Sequence, residues 1–158
     1  VCGATGCVGS AVVQALRARG HHVLEGSRGA QDGRHSLHVD FSQPAAPAVW
    51  AERLRSAEVE AVVNAVGILM PSRGQSFERV HTHGPIELFR GAALAGVRRV
   101  VQISALGVSD SPEALARPYL HSKLQADEAL AALPLAWAVL SCASIMWRIQ
   151  AGSPHRST

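Results

Sequence analysis

The stretch Val1-Cys2-Gly3-Ala4-Thr5-Gly6-Cys7-Val8-Gly9 has the pattern of a buried strand that ends in a glycine-rich turn. Apolar residues then recur at the spacing of one helix face, at Val8, Val12, Val13 and Leu16. A strand, three regularly spaced glycines and a helix form the arrangement that binds dinucleotides. The glycines permit the tight turn, the approach of the backbone to a pyrophosphate, and close packing of helix on strand. The stretch therefore predicts a phosphate site at the positive end of that helix.

The composition is that of one globular domain. The chain has 158 residues, of which 47% are hydrophobic and 17% charged. We expect a single nucleotide-binding domain over residues 1–150 and a polar, disordered tail over 151–158. The net charge of +3 comes from dispersed arginines rather than from a basic run, so we expect no nucleic-acid partner. No apolar stretch approaches the ~20 residues that span a bilayer, and no signal peptide is recognisable. These features predict a cytoplasmic protein without a membrane span.

The cysteines and histidines do not form a metal-binding pattern. The three cysteines include no Cys-x-x-Cys pair, which argues against a disulfide framework or a zinc site. We expect Cys2 and Cys7 to be small buried hydrophobic residues. His81 and His83 are the one suggestive histidine pair, and no carboxylate cluster accompanies them. We therefore expect no metal.

Short apolar runs alternate with helical patterns along the chain. After the first strand and helix, strands are predicted at 22–26, 36–40, 59–66 and 97–104, with a last one beginning at 137, and helices at 48–57, 77–95 and 117–133. Gly96 is a typical stop signal for the helix before it. This alternation predicts an α/β fold with a Rossmann-like, doubly wound parallel sheet of about six strands.

Ligands of such sheets bind beyond the carboxyl ends of the strands. The residues at those ends, together with the glycine turn, are therefore the candidate cofactor-binding positions. They are Gly3, Thr5, Gly6, Cys7, Val8, Gly9, Ser27, Arg28, Asp40, Phe41, Asn64, Ala65, Val66 and Gly67.

The end of the second strand bears on which nicotinamide nucleotide is bound. A site for NAD(H) usually carries an acidic residue there, which bonds the ribose 2′-hydroxyl. This chain has Ser27-Arg28 instead, and a guanidinium pairs well with a 2′-phosphate. Glu25 lies slightly earlier, and Arg28 could also be an ordinary loop arginine. The pattern favours NADP(H), with NAD(H) as the alternative.

Tyr119 and Lys123 lie four residues apart in the helix after the fifth strand, so they share one face. A nearby ammonium favours the phenolate and so suits a tyrosine to proton transfer with a carbonyl or alcohol oxygen. Ser104, at the end of the fifth strand, could hold the same oxygen by a hydrogen bond. The alternative is that Tyr119 and Lys123 are ordinary helix-surface residues.

In these features the chain resembles the short-chain dehydrogenase/reductase family, and most closely its extended and atypical branches with Gly-x-x-Gly-x-x-Gly. The matching residues are Gly3, Gly6, Gly9, Asp40, Asn64 to Gly67, Ser104, Tyr119 and Lys123. The resemblance implies hydride transfer between NAD(P)(H) and a carbonyl or alcohol of a small molecule. It also implies that Asp40 contacts the adenine and that Asn64 to Gly67 line the cofactor. Ser104, Tyr119 and Lys123 would be the catalytic set, with Lys123 also binding the ribose.

A second likeness points to a different function. Ile103-Ser104-Ala105-Leu106-Gly107, followed by Tyr119-Leu120-His121-Ser122-Lys123, is similar to an atypical group that includes the nucleotide-binding accessory subunit of respiratory complex I and bacterial relatives. This likeness implies a non-catalytic NADP(H)-binding subunit or sensor. By resemblance alone, its partner would be membrane- or quinone-associated.

The chain departs from the family in two places. His81 stands where the family carries an asparagine, so the resemblance assigns no proton-relay asparagine here. The sixth strand runs into Leu140 to Trp147 rather than Arg-Pro-Ser, and the usual substrate-binding cap of ~100 residues does not follow. We therefore expect a truncated chain with weak or no turnover by itself, and the substrate is not predicted.

Overall fold

The computed structural model describes residues 1–142 and shows helices and parallel strands in alternation. The predicted tail at 151–158 and the departure after the sixth strand, beyond 142, lie outside the described residues. The elements in chain order are α1 (Cys7–Ala18), β1 (Glu25–Ser27), β2 (Ser36–His38), α2 (Pro47–Ser56), β3 (Ala61–Asn64), a π-helical segment (Glu78–His83), α3 (Gly84–Ala95), β4 (Arg99–Ala105), α4 (Pro112–Leu115), α5 (Pro118–Ala131) and β5 (Ala136–Cys142).

All strand pairs in the sheet are parallel. β1 pairs with β2, and β4 lies between β3 and β5. Cys2 joins the two groups, because it forms parallel bridges to Gly26 in β1 and to Asn64 in β3. The sheet order is therefore β2, β1, the Cys2 bridge, β3, β4, β5, which confirms the Rossmann-like α/β fold. The first of the roughly six predicted strands is reduced to this single bridge.

Helices cover the two faces of the sheet. Successive residues of a strand point to opposite faces, and Val1 and Cys2 belong to different hydrophobic clusters. Cys2 joins the larger cluster, which packs α2, α3 and α5 against one face. Trp50, Leu88 and Leu130 are among its almost fully buried members. Val1 packs with Val13 of α1 on the other face. This arrangement is the doubly wound architecture that the sequence predicts.

β2, β3 and β4 are each shorter than predicted, most of all β3, which spans Ala61–Asn64 rather than 59–66, and three further differences have a structural reason. β1 begins at Glu25 rather than at residue 22, because its ladder partner β2 begins only at Ser36. The helix predicted at 77–95 is π-helical over its first part; Pro85 has no N–H to donate to the preceding turn, which disfavours regular α-helix there. The short helix α4 was not predicted; the Ser111 hydroxyl caps it by accepting the Ala114 N–H at 3.3 Å.

The predicted end of α3 is confirmed. Gly96 follows the helix with φ of 77°, the left-handed conformation that glycine adopts without strain. Within residues 1–142, no helix combines the length and the apolar character needed to cross a membrane.

Candidate functional site: a cleft at the carboxyl edge of the sheet

The glycine turn is packed so tightly that Gly3 and Gly9 have no room for a side chain. Gly3 has φ of 77°, and a Cβ there would lie 2.9 Å from the carbonyl carbon of Ala65. A Cβ on Gly9 would lie 2.0 Å from the Gly3 carbonyl oxygen. Gly6 is the N-cap of α1, and no side chain caps that helix. The N-terminal N–H groups of α1 therefore stand next to a closely approached backbone turn, the geometry that suits a pyrophosphate.

One cavity of about 200 Å³ lies beside this turn. Its walls come from the ends of β1, β2 and β3 and from the glycine turn. Lining residues predicted from the sequence are Gly3, Thr5, Gly6, Ser27, Arg28, Asp40, Phe41, Ala65, Val66 and Gly67. Phe41 is 2% exposed, and it packs so closely on Gly84 that a Cβ there would lie 2.4 Å from the Phe41 Cβ. The cavity has the position of the adenosine half of a dinucleotide site.

Asp40 is held in the ionised form at the edge of this cavity. Its Oδ1 accepts hydrogen bonds from the Ser42 backbone N–H at 2.9 Å and from the Ser42 hydroxyl at 2.6 Å. Partial burial raises the pKa of Asp40, but these bonds and the charges of Arg28 and His38 outweigh it. The pKa therefore lies below its ordinary value, and the carboxylate is a fixed hydrogen-bond acceptor.

Arg28 is an exposed guanidinium on the wall of the same cavity. Among the described residues, no side chain forms an ion pair with it. Asp40, on the same cavity, interacts with Arg28 only through its charge. Two other acidic residues are engaged elsewhere: Glu25 pairs with Arg17 at 2.7 Å, and Asp32 binds Arg53 through two hydrogen bonds. The end of β1 therefore offers a cation and no carboxylate.

A second cavity, of about 220 Å³, continues the first along the edge of the sheet. The two share Gly6 and the turn from Ala65 to Ile68, so they form one cleft. The second cavity brings together Ser104, Tyr119 and Lys123, and it is also lined by Cys7 and Val8. Of the predicted site residues, Gly9 and Asn64 line neither cavity. Gly9 lies beneath the turn against Gly3.

Asn64 supports the cleft from below. It is fully buried, and its side-chain amide donates to the Gln102 side-chain oxygen at 2.7 Å across β3 and β4. Its Oδ1 accepts the Val66 N–H at 3.2 Å. This bond shapes the turn after β3, whose next residues do line the cleft.

Lys123 is a buried amine on the floor of the second cavity. It is 4% exposed, and its Nζ donates to the Ile103 carbonyl at 3.2 Å. Burial lowers the pKa of Lys123 to about 8, although the carboxylate of Asp127 acts in the opposite direction. A Cβ on Gly67 would lie 3.5 Å from Nζ, so the turn after β3 passes directly by the amine.

His81 anchors the same turn. Its Nε2 accepts the Ile68 backbone N–H at 2.9 Å, so the proton of the neutral ring resides on Nδ1. Nδ1 donates to the Ser122 hydroxyl at 3.1 Å, and that hydroxyl donates to the Tyr119 carbonyl at 2.8 Å. Burial and the charge of Lys123 lower the pKa of His81 to about 3, which keeps the ring neutral.

Tyr119 is packed in an aromatic cluster with His81 and Phe77. The Phe77 ring stacks on His81 at 5.3 Å between centroids, and Tyr119 meets both rings edge-on at 5.6 and 5.3 Å. Such contacts fix the direction of a ring. His81 thus contacts Tyr119 and also holds the turn after β3.

Sequence reasoning missed Asp127, which accepts the Ser104 hydroxyl at 2.5 Å. Its position four residues after Lys123 was the available signal, because that spacing places both side chains on one helix face. Ser122 and Gln102 were also missed, since their partners are 41 and 38 residues distant in sequence.

The prediction that Cys7 is buried is wrong, because Cys7 begins α1 at the open cleft and is exposed; Cys2 is buried as predicted. In the part of the chain that the structure describes, no cluster of potential metal ligands occurs.

Several solved structures are similar to this chain. The oxidoreductase ylbE from Lactococcus lactis is 24% identical with a TM-score of 0.67, covering 88% of this chain and 65% of its own. A short-chain dehydrogenase/reductase superfamily protein from Agrobacterium tumefaciens with bound NAD is 26% identical with a TM-score of 0.66, covering 88% and 47%. The enzyme WbmG from Bordetella bronchiseptica, in complex with NAD, is 17% identical with a TM-score of 0.68, covering 96% and 58%.

The chain thus spans about half to two-thirds of the length of these structures. No curated protein matches it significantly. The model of a protein family described as NAD(P)H-binding matches residues 3–148, which is most of the sequence. With its glycine turn, parallel sheet and carboxyl-edge cleft, the chain belongs to this NAD(P)H-binding family.

Proposed function

We propose that this chain is the cofactor-binding part of a short-chain dehydrogenase/reductase of the extended or atypical branch, acting on a carbonyl or alcohol group of a small molecule. The observation that carries the proposal is the placement of Ser104, Tyr119 and Lys123 on one cavity that continues into the glycine turn. Structures related in fold contain NAD, which supports a nicotinamide nucleotide in the cleft.

Tyr119 and Lys123, which line the second cavity, have separate roles in proton transfer. When bound, the nicotinamide supplies or accepts the hydride. Tyr119, directed by Phe77 and His81, gives a proton to the substrate oxygen or takes one from it. Lys123 is cationic at neutral pH, since its pKa is about 8, and its charge favours the phenolate form of Tyr119. The Lys123 ammonium has three N–H donors, and the Ile103 carbonyl accepts a hydrogen bond from one of them. The other two are available to bind ribose hydroxyls.

We further propose that the nucleotide is NADP(H) rather than NAD(H). Arg28 lies on the adenosine-side cavity without an ion-pair partner among residues 1–142, and no carboxylate is available at the end of β1 for a ribose 2′-hydroxyl. A 2′-phosphate at this point would receive a bidentate contact from the guanidinium.

Calorimetric titration with NADPH and NADH tests the cofactor proposal. We expect saturable binding with NADPH tighter than NADH. Arg28→Ala should weaken NADPH binding by roughly tenfold, as expected for an exposed charge-assisted contact of ~1.4 kcal/mol, and leave NADH binding unchanged. Arg34→Ala is the matched control, because Arg34 lies in the same loop but lines a different cavity. If neither nucleotide binds, the cofactor proposal is overturned. If Arg28→Ala weakens NADPH and NADH binding equally, the preference for NADPH is overturned.

The alternative function is a nucleotide-binding subunit or sensor without turnover. The observation that favours it is His81, which stands where the family carries an asparagine and is a buried, neutral ring bonded to the turn after β3. Its partner would be a membrane- or quinone-associated protein. This function predicts NADPH that co-purifies and is not oxidised by any member of a carbonyl panel, whereas oxidation with Tyr119-dependent kinetics would exclude it.

A further inference from the structure

Ser104 does not direct its hydroxyl proton into the cleft. It lies in β4, and its Oγ donates to Oδ2 of Asp127 on α5 at 2.5 Å. A serine hydroxyl has one proton and two lone pairs. While that proton is engaged by Asp127, Ser104 presents only hydrogen-bond acceptors to the cavity that it lines with Tyr119 and Lys123.

The same carboxylate acts on Lys123. Asp127 follows Lys123 by four residues on α5, so the two side chains lie on one face of the helix. Lys123 is nearly inaccessible to solvent, so burial disfavours its ammonium form. The nearby negative charge opposes that penalty. Asp127 thus accepts the Ser104 hydroxyl of β4 and acts through its charge on the Lys123 amine of α5.

The groups around Asp127 define its charge state. Burial raises the pKa of the carboxyl and Glu128 adds to this effect, whereas the Ser104 hydrogen bond, the Lys123 charge and the Gln102 amide lower it. The net pKa is above the ordinary value for aspartate. His81, packed against α5 through Ser122, is neutral and adds no charge. The Ser104 hydrogen bond, the Lys123 charge and the Gln102 amide therefore favour the ionised carboxylate against burial.

We propose that Asp127 is a positioning residue of this site, which turns the Ser104 hydroxyl away from the cleft and holds Lys123 in its charged form. Ser104 then accepts a hydrogen bond from a hydroxyl in the cavity rather than donating one. The inference rests on the proposed function for its catalytic meaning, but the Asp127 contacts are measurable without cofactor or substrate.

The sequence offers a direct readout, because Lys123 is its only lysine. Labelling lysine with carbon-13 at Cε gives one NMR signal whose pH titration reports Lys123 alone. Asp127→Asn keeps the size of the side chain and removes its charge. We expect the Lys123 midpoint to fall by about 1 pH unit in this variant and to return in Asp127→Glu. Glu128→Gln is the matched control, since it removes the adjacent carboxylate from the same helix and should leave the midpoint unchanged.

A second titration tests the Ser104 contact. The chain has four aspartates, and the carboxyl signal that is lost in Asp127→Asn identifies Asp127. Ser104→Ala removes the hydrogen bond that lowers the Asp127 pKa, so the Asp127 midpoint should rise by about 1 pH unit, and Ser104→Thr should restore it. Ser141→Ala is the control, because Ser141 pairs with Ser104 in the neighbouring strand and is exposed.

The outcomes separate this inference from the proposed function. A Lys123 midpoint that is equal in Asp127→Asn and Glu128→Gln, or an Asp127 midpoint that does not respond to Ser104→Ala, would overturn the positioning role even in a chain that binds NADPH. Failure to bind either nucleotide, with both midpoints shifted as expected, would instead overturn the proposed function and leave the Asp127 contacts established.

Discussion

The imidazole of His81 accepts the backbone N–H of Ile68 at 2.9 Å, which ties the π-helical segment before α3 to the turn that lines both cavities. The ring is fully buried, and its other nitrogen donates to Ser122 on α5. A single neutral histidine thus connects three elements of the cleft. Protonation of Nε2 would remove the acceptor and place a second cation near Lys123.

The first prediction is that stability falls below about pH 6.5 because of His81. The pKa of His81 is lowered from 6.5 to about 3 in the folded protein, so between these values the unfolded chain binds a proton that the folded chain excludes. The stabilising contribution is complete above pH 6.5 and decreases as the pH falls. From pH 7 to pH 5, the free energy of unfolding should drop by about 2 kcal/mol on this account.

Urea unfolding at several pH values, followed by circular dichroism, measures this effect. His81→Gln removes the titrating group, so its stability should vary less with pH than that of the unmodified chain. His83→Gln is the control, because His83 is half-exposed beside Glu78 and should leave the pH dependence in place. Identical pH dependence in all three proteins would contradict the prediction.

The second prediction concerns Gly9. A Cβ at this position would lie 2.0 Å from the Gly3 carbonyl oxygen, a backbone atom that cannot rotate aside. Gly9→Ala should therefore displace the start of α1 from the glycine turn, lower the free energy of unfolding by about 1–3 kcal/mol and abolish measurable NADPH binding. Thermal unfolding and calorimetry provide the two readouts. Gly29→Ala, with no atom within 4 Å of the added Cβ, should change neither by a detectable amount.

Local spacing predicted much of this cleft, and long-range contacts account for most of what it missed. The glycine turn and the Tyr119–Lys123 pair depend on residues within one turn or one helix, so their pattern is visible in sequence. The bonds from His81 to Ser122 and from Asn64 to Gln102 join residues about 40 positions apart, and no periodicity reveals them. The position of Asn64 beneath the turn, rather than on its surface, follows from a register that only the folded sheet defines.

The third prediction is that Lys123 lowers the free energy of unfolding, although it contributes to NADPH binding. Its pKa is lowered from 10.5 to about 8 by burial, so the charged amine destabilises the folded chain; this cost is complete below about pH 8 and declines to zero by about pH 10.5. Lys123→Met keeps the aliphatic length and removes the buried charge, and Asp127→Asn in the same variant removes the carboxylate that would otherwise lose its neighbouring cation. The variant should gain about 1–3 kcal/mol in free energy of unfolding at pH 7.

The same variant should bind NADPH at least tenfold more weakly, because the ribose loses its ammonium donor. Urea unfolding and calorimetry on one preparation provide both values. Above about pH 10.5 the stability gain should disappear, since the amine is then neutral in both states. A variant that is destabilised at pH 7 would show that the Ile103 contact outweighs the cost of burying the charge.

The last prediction separates proton transfer by Tyr119 from its packing. Tyr119 is the only tyrosine in the chain, and its ring meets Phe77 and His81 edge-on. Tyr119→Phe retains these ring contacts and deletes only the hydroxyl, so the free energy of unfolding should change by less than about 1 kcal/mol and NADPH affinity by less than about twofold. Oxidation of bound NADPH in the presence of a carbonyl panel should slow by about 10²-fold or more, because general acid catalysis is lost. Tyr119→Ala, which also removes the ring, should lose stability and turnover together. Equal, measurable oxidation rates in Tyr119→Phe and the unmodified chain would remove Tyr119 from the chemistry, whereas no oxidation by either protein would favour a nucleotide-binding subunit.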